Sequence, residues 1–211
     1  MFGLVAAGCG GAGVVEKESL ALVGRGRLEI RLLWPNSPTR VVPGATRTIR
    51  LEVVQGGTTV ASALVASPAT TASFPEMPTG GVSVRATAYS TTDGTGNPVA
   101  GATASATVTD AAATPVSITM ATTIASITVA PSSFSIVLAV LGYRQLNVSA
   151  FNSSGQPVTV ADSDLEYTTN RPLIAWVSTA GVVTGLVPGT ATITVKELTS
   201  GLTKTVSVNV L

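Results

Sequence analysis

Histidine is absent from the 211 residues, and cysteine occurs once, at Cys9. Imidazole is the commonest general base near neutral pH and the commonest zinc ligand, so an activated serine or a zinc centre of the familiar kind has no parts here. The lysines, Lys17, Lys196 and Lys204, stand outside any S-x-x-K spacing, and no glycine run continues as a phosphate-cradling loop. A glycosidase needs only a pair of carboxylates, and eleven acidic residues are present, but at 4% aromatic the chain has little with which to line a sugar-cleaving groove. The expectation is a protein that is not an enzyme and needs no cofactor. Asp162, Asp164 and Glu166 alternate along the chain and supply hard oxygens of the kind Ca²⁺ takes. Their spacing is not that of an EF-hand, and a solvated strand face that discourages edge pairing explains them more simply, so no metal site is expected. Asp93-Gly94-Thr95-Gly96-Asn97 is also oxygen-rich, yet its dipeptides are those of an ordinary turn. For recognition by a flat apolar surface, the candidates are Trp34, Tyr89 and Trp176.

Charge narrows the partners. Twelve basic and eleven acidic side chains give a net +1, which supplies no sustained field for a phosphate backbone, so no nucleic-acid partner is expected. Arg25, Arg27 and Arg31 fall on one face of a candidate strand, with Arg47 and Arg50 nearby. An ordinary solvent face paired with Glu29 and Glu52 accounts for them, with contact to a polyanionic glycan as the lesser alternative.

The elements that would hold these residues are strands. Thr (31) and Val (29) dominate, both β-branched, while Gly (21) and Pro (12) punctuate the chain. Leu28, Ile30 and Leu32 alternate with Arg27, Glu29 and Arg31, the mark of a half-buried strand. Further strands are expected around 49–53, 59–66, 71–74, 82–89, 99–109 and 115–120, with turns at Gln55-Gly56-Gly57-Thr58 and Met77 to Gly81. Seven strands at this spacing suit a small sandwich. After a junction of only Ala121 to Thr123, strands are expected at 127–129, 134–138, 143–151, 165–168, 174–177, 182–186, 190–196 and 203–211. The reading is all-β: two tandem small β-sandwiches, 25–120 and 124–211, set end to end with restricted motion and preceded by a tail, 1–24. The loops 91–98 and 152–157 sit where sandwich loops are free to carry recognition.

Leu4-Val5-Ala6-Ala7-Gly8-Cys9-Gly10-Gly11 resembles the end of a bacterial lipoprotein signal, in which small residues precede a cysteine that is diacylated. Ala6 departs from the usual leucine three positions before it. The resemblance implies lipidation at Cys9, a truncated signal remnant ahead of it, a flexible stalk to about residue 24, and a membrane partner through the anchor. Two acyl chains would hold a domain on a bilayer where one is marginal. The alternative is an incidental cysteine in a misplaced gene start.

Over the second half, Ile127-Thr128-Val129-Ala130-Pro131, then Tyr143 to Ala150, Gly155-Gln156-Pro157-Val158, Ile174 to Ser178, and Gly181 to Leu186 running into Pro188-Gly189-Thr190-Ala191-Thr192-Ile193-Thr194-Val195, follow in order. This succession resembles the bacterial immunoglobulin-like domain of group 2, the intimin/invasin-type surface module. Tyr167 stands where that family has a core tryptophan, and Trp176 where it has a small or polar residue. The resemblance implies an Ig-like sandwich exposed outside the cytoplasm in the bacterial cell envelope, a structural or adhesive role with surface proteins or polysaccharide as partners, and no catalytic residues. The alternative function is a carbohydrate-binding module or accessory domain of an extracellular enzyme system. In the first half, Met77 to Tyr89 resembles a strand of prealbumin-like and collagen-adhesin repeat sandwiches.

Overall fold

The computed structural model describes residues 24–33, 44–138 and 142–211. The first half contains β1 (Arg25–Leu33), β2 (Thr48–Gln55), β3 (Thr58–Ala66), β4 (Thr71–Pro78), β5 (Gly80–Tyr89), β6 (Pro98–Val108), β7 (Ala113–Thr119) and β8 (Ala121–Thr122). A sheet in the order β4-β1-β7 faces a sheet in the order β3-β2-β5-β6-β8. Burial along β1 alternates without a break, because Leu28, Ile30 and Leu32 point into the core while the arginines and Glu29 face solvent. Facing them are Ile49, Leu51 and Val53 of β2 and Val84, Ala86 and Ala88 of β5. The small residues on β5 let the two sheets approach closely, with Phe74 of β4 as the buried aromatic of this core.

The second half contains β9 (Ser126–Ala130), β10 (Ser133–Ile136), β11 (Tyr143–Gln145), β12 (Asn147–Phe151), β13 (Pro157–Val158), β14 (Leu165–Thr169), β15 (Ala175–Val177), β16 (Val182–Gly185), β17 (Gly189–Glu197) and β18 (Thr203–Val210). The sheet β10-β18-β17-β14 packs against β11-β16-β15 and β13-β12-β9 around Leu146, Val183, Ile193, Val195, Val206 and Val208. The chain is therefore all-β, with two sandwiches in tandem.

Three local expectations need correction. The segment 143–151 is two strands: it breaks at the buried Leu146 and changes sheets, β11 joining β16 and β12 joining β9 and β13. The strand beginning at Thr71 continues through Pro78, where a turn was expected from Met77, because Met77 is buried against the core and only Thr79 is left to reverse the chain. Tyr167 is half-buried at the margin of the second core.

The halves are joined with almost no slack. Thr123 is held to β6 by its backbone N–H on the Val99 carbonyl (3.1 Å) and its hydroxyl on the Pro98 carbonyl (2.6 Å). Two residues later the Ala125 N–H donates to the Phe151 carbonyl (2.8 Å). Ile127, Ala150 and Val158 lie in the first core cluster although they follow the junction, and Val129 and Val148 on the same strands pack on the second. The sheet β13-β12-β9 thus spans the join.

Candidate functional site

Cys9 and Trp34 lie outside the described residues. Tyr89 is half-buried at the end of β5, and the Arg50 guanidinium sits over its ring, 5.5 Å from the centroid. That face of the ring is occupied from within the protein. Trp176 is 50% exposed. It is on β15, where Ala175 and Val177 turn inward and the indole turns out, so strand alternation fixes its direction.

Trp176 has a companion. The ladder aligns Tyr143 of β11 with Thr184 of β16, and Thr184 in turn with Trp176 of β15. One row across the outer face of the three-stranded sheet reads Tyr143, Thr184, Trp176. Tyr143 is 71% exposed, and beside it a cleft of about 550 Å³ is lined by Leu138, Gly142, Tyr143, Val182, Thr184 and Gly185. Sequence reasoning passed over Tyr143 because it treated 143–151 as one core strand. The signal that finds it is parity: Tyr143 and Gln145 alternate against Leu146, Val148 and Ala150, so the tyrosine must face away from the core.

The carboxylates do not gather. Asp162 and Asp164 belong to a short 3-10 turn, Asp162–Asp164, while Glu166 lies exposed on β14. Asp164 is buried and accepts a hydrogen bond from the Gly44 N–H (3.1 Å), which ties the second half to the first. Among the described residues, no three His, Cys, Asp or Glu side chains are placed to hold a metal ion. Asp93 is occupied locally: hydrogen bonding with the Thr91 and Thr95 side chains and the Thr95 amide holds its carboxyl below the usual carboxylate range. Arg27 pairs with Glu29 at 3.7 Å, both side chains exposed, and the exposed Arg85 with the half-buried Glu52 at 3.8 Å, pairs of small energetic weight.

The two loops expected to be free meet each other. Asn97 Nδ2 donates to the Pro157 carbonyl (2.9 Å) and the Ser90 hydroxyl to that of Thr159 (3.1 Å), lining a cleft of about 450 Å³ at the junction. Asn152 Oδ1 accepts from the N–H groups of Ser154 (3.0 Å) and Gln156 (2.9 Å), which closes its loop. These loops brace the join. No described helix is long and apolar enough to cross a membrane.

Comparison with protein-family models finds no match, and comparison with curated proteins finds none. Among solved structures, the chain is similar to the S-layer protein SbsC at 20% identity and a TM-score of 0.37, covering 81% of this chain and 21% of that one. It spans about a fifth of that protein's length. It is similar to the fibronectin(III)-like modules of Clostridium thermocellum CbhA at 17% identity and a TM-score of 0.24, covering 80% of this chain and 81% of that one. Likeness to the major pilin SpaD of Corynebacterium diphtheriae is at 12% identity and a TM-score of 0.31, over 88% of this chain and 66% of that one.

Proposed function

We propose that the chain is a non-catalytic structural or adhesive module of the bacterial cell surface, held to the membrane through Cys9, with its second half of the bacterial Ig-like group 2 type. In this reading the sandwiches carry tension between an anchored end and an exposed one. The observation that carries it is the parallel pairing of an early strand with a late strand in each half: β1 with β7, which precedes the short β8, and β10, which follows β9, with β18. β1 runs parallel to β7 from Arg27↔Ala113 to Leu33↔Thr119, and β10 runs parallel to β18 from Ser133↔Ser207 to Ile136↔Val210. When one end of the chain is pulled against the other, the members of a parallel pair slide past each other along their length. All the slanted, evenly spaced bonds are then loaded together in shear, and none can open before its neighbours. The close junction adds to this, since force passes from Thr123 to Ala125 without first drawing out a spacer.

Single-molecule pulling tests the reading, because forced unfolding reports the barrier to unfolding. Attached at residues 24 and 211, the chain should resist a higher force than when the second attachment is moved to Ser200 in the β17–β18 hairpin, where bonds open one after another. Equal or lower resistance through the ends would remove the mechanical argument. Mass measurement of the native mature protein tests the anchor separately: an unmodified Cys9 thiol contradicts lipid attachment.

A further inference from the structure

We infer that the outer face of β11, β16 and β15 is a binding platform for a neutral polysaccharide chain, with Tyr143 and Trp176 as its two stacking rings. Adjacent strands lie about 4.8 Å apart, so residues aligned two strands apart, as these are through Thr184, stand about 10 Å apart. That span suits an extended glycan whose alternate sugar rings rest on the two aromatics, with the ring between them over Thr184. Both aromatics are well exposed, while Thr184 is half-buried, so the middle of the row is lower and polar. A pyranose offers an apolar C–H face for the rings and a rim of hydroxyls for hydrogen bonds. Tyrosine and tryptophan match that division, each having a flat apolar body and a polar tip.

The neighbouring side chains point to the same ligand. In the next row Gln145 is aligned with Val182. Gln145 Nε2 donates to the carbonyls of Leu146 (2.9 Å) and Ala180 (2.8 Å), which fixes the amide and leaves Oε1 to accept from a hydroxyl. Tyr143, Gln145, Val182, Thr184 and Trp176 carry no charge, and Arg144, the exposed cation of β11, has the opposite strand parity, aligned with Val183, so an anionic ligand lying along this row would lose hydration with no countercharge in the row itself. The cleft beside Tyr143, about 550 Å³, falls within the range that encloses small ligands and gives the chain a place to seat one sugar edge-on. β11 and β15 are the edges of their sheet, so a long chain can pass across the row and leave at both sides. This platform does not depend on the tension reading, and either can fail alone.

Affinity electrophoresis of the full chain through gels containing soluble β-glucan, glucomannan or arabinoxylan, with polygalacturonate as the anionic control, tests the inference. Retardation is expected with at least one neutral polymer and not with the control. Trp176→Ala and Tyr143→Ala should each weaken binding about tenfold, as removal of an anchoring ring does at other interfaces, and Tyr143→Phe should retain most of it. Trp34→Phe leaves Trp176 as the remaining tryptophan, and its fluorescence should change on titration with oligosaccharides of the retarding polymer. Retardation by none of the neutral polymers, preference for polygalacturonate, or binding indifferent to both alanine variants would overturn the proposal. Loss of self-association in Trp176→Ala without any polysaccharide binding would overturn it too, by assigning the face to a protein partner.

Discussion

Tyr167 lies over Gly181, which has a φ of +77°, and a Cβ built at that glycine would come 2.8 Å from the ring's Cζ. The tyrosine needs a neighbour without a side chain, and the turn needs a residue that tolerates this backbone. Burial, followed by the charge of Asp162, raises the Tyr167 phenol above its ordinary 10.0. The folded state therefore favours the neutral phenol. Its contribution to stability is complete below about pH 10 and is lost as pH rises from there through the higher folded value. Spectrophotometric titration should show a late component that Tyr167→Phe removes; an amplitude that falls evenly across the titration would contradict this. Part of the pairing was legible: Gly181 stands before a β-rich run, where a positive φ is expected, and Tyr167 is the aromatic of its strand. Glu197 was not legible. It reads as a charge at the end of a strand, yet it is fully buried, with its carboxylate accepting from the N–H and hydroxyl of Thr199 (3.0 and 2.8 Å) and of Ser200 (2.6 and 2.5 Å). Sequence periodicity assigns charge to solvent by default, and only the hairpin geometry shows that two adjacent hydroxyl residues can replace the water.

Most elements were readable because alternation of burial is strict: β1, β2, β5, β17 and β18 each bury every second residue over most of their length. The break at Leu146 was hidden by the same regularity. Leu146, Val148 and Ala150 share one parity and continue it into β12, while the hydrogen-bond partners change from β16 to β9 and β13; the sign of the change is Arg144, exposed at the same parity one step earlier on β11. Leu146 is the pivot. Its side chain is 2% exposed in the second core and its N–H donates to the Gly181 carbonyl (2.9 Å). Leu146→Ala should lower stability by about 3 kcal/mol, as truncation of a buried leucine does, and speed amide exchange in both β11 and β12. A loss below about 1 kcal/mol in denaturant melts would show that the site collapses around the smaller side chain.

At the scale of the whole chain, the sharing of Ile127, Ala150 and Val158 with the first core has a measurable effect. A fragment of residues 124–211 exposes these side chains, each of which contributes on the order of 1–3 kcal/mol when buried. The fragment should unfold at lower denaturant concentration than the same half within the full chain, and Ile127→Ala should destabilise the full chain while changing the fragment little. A fragment as stable as its parent half would mean that the shared packing contributes nothing. Strand count and turn spacing indicated two sandwiches but not this sharing, since a periodic strand gives no sign of which of two cores it faces. The join also fixes a distance. Units strung on glycine- and serine-rich spacers separate by polymer statistics and drift with temperature and small forces. Here Ile124 alone lies between a residue bonded to one sandwich and a residue bonded to the other, so the separation of the halves is set by hydrogen-bond lengths. The pair behaves as a ruler, adding a constant increment of reach between whatever is attached at its two ends.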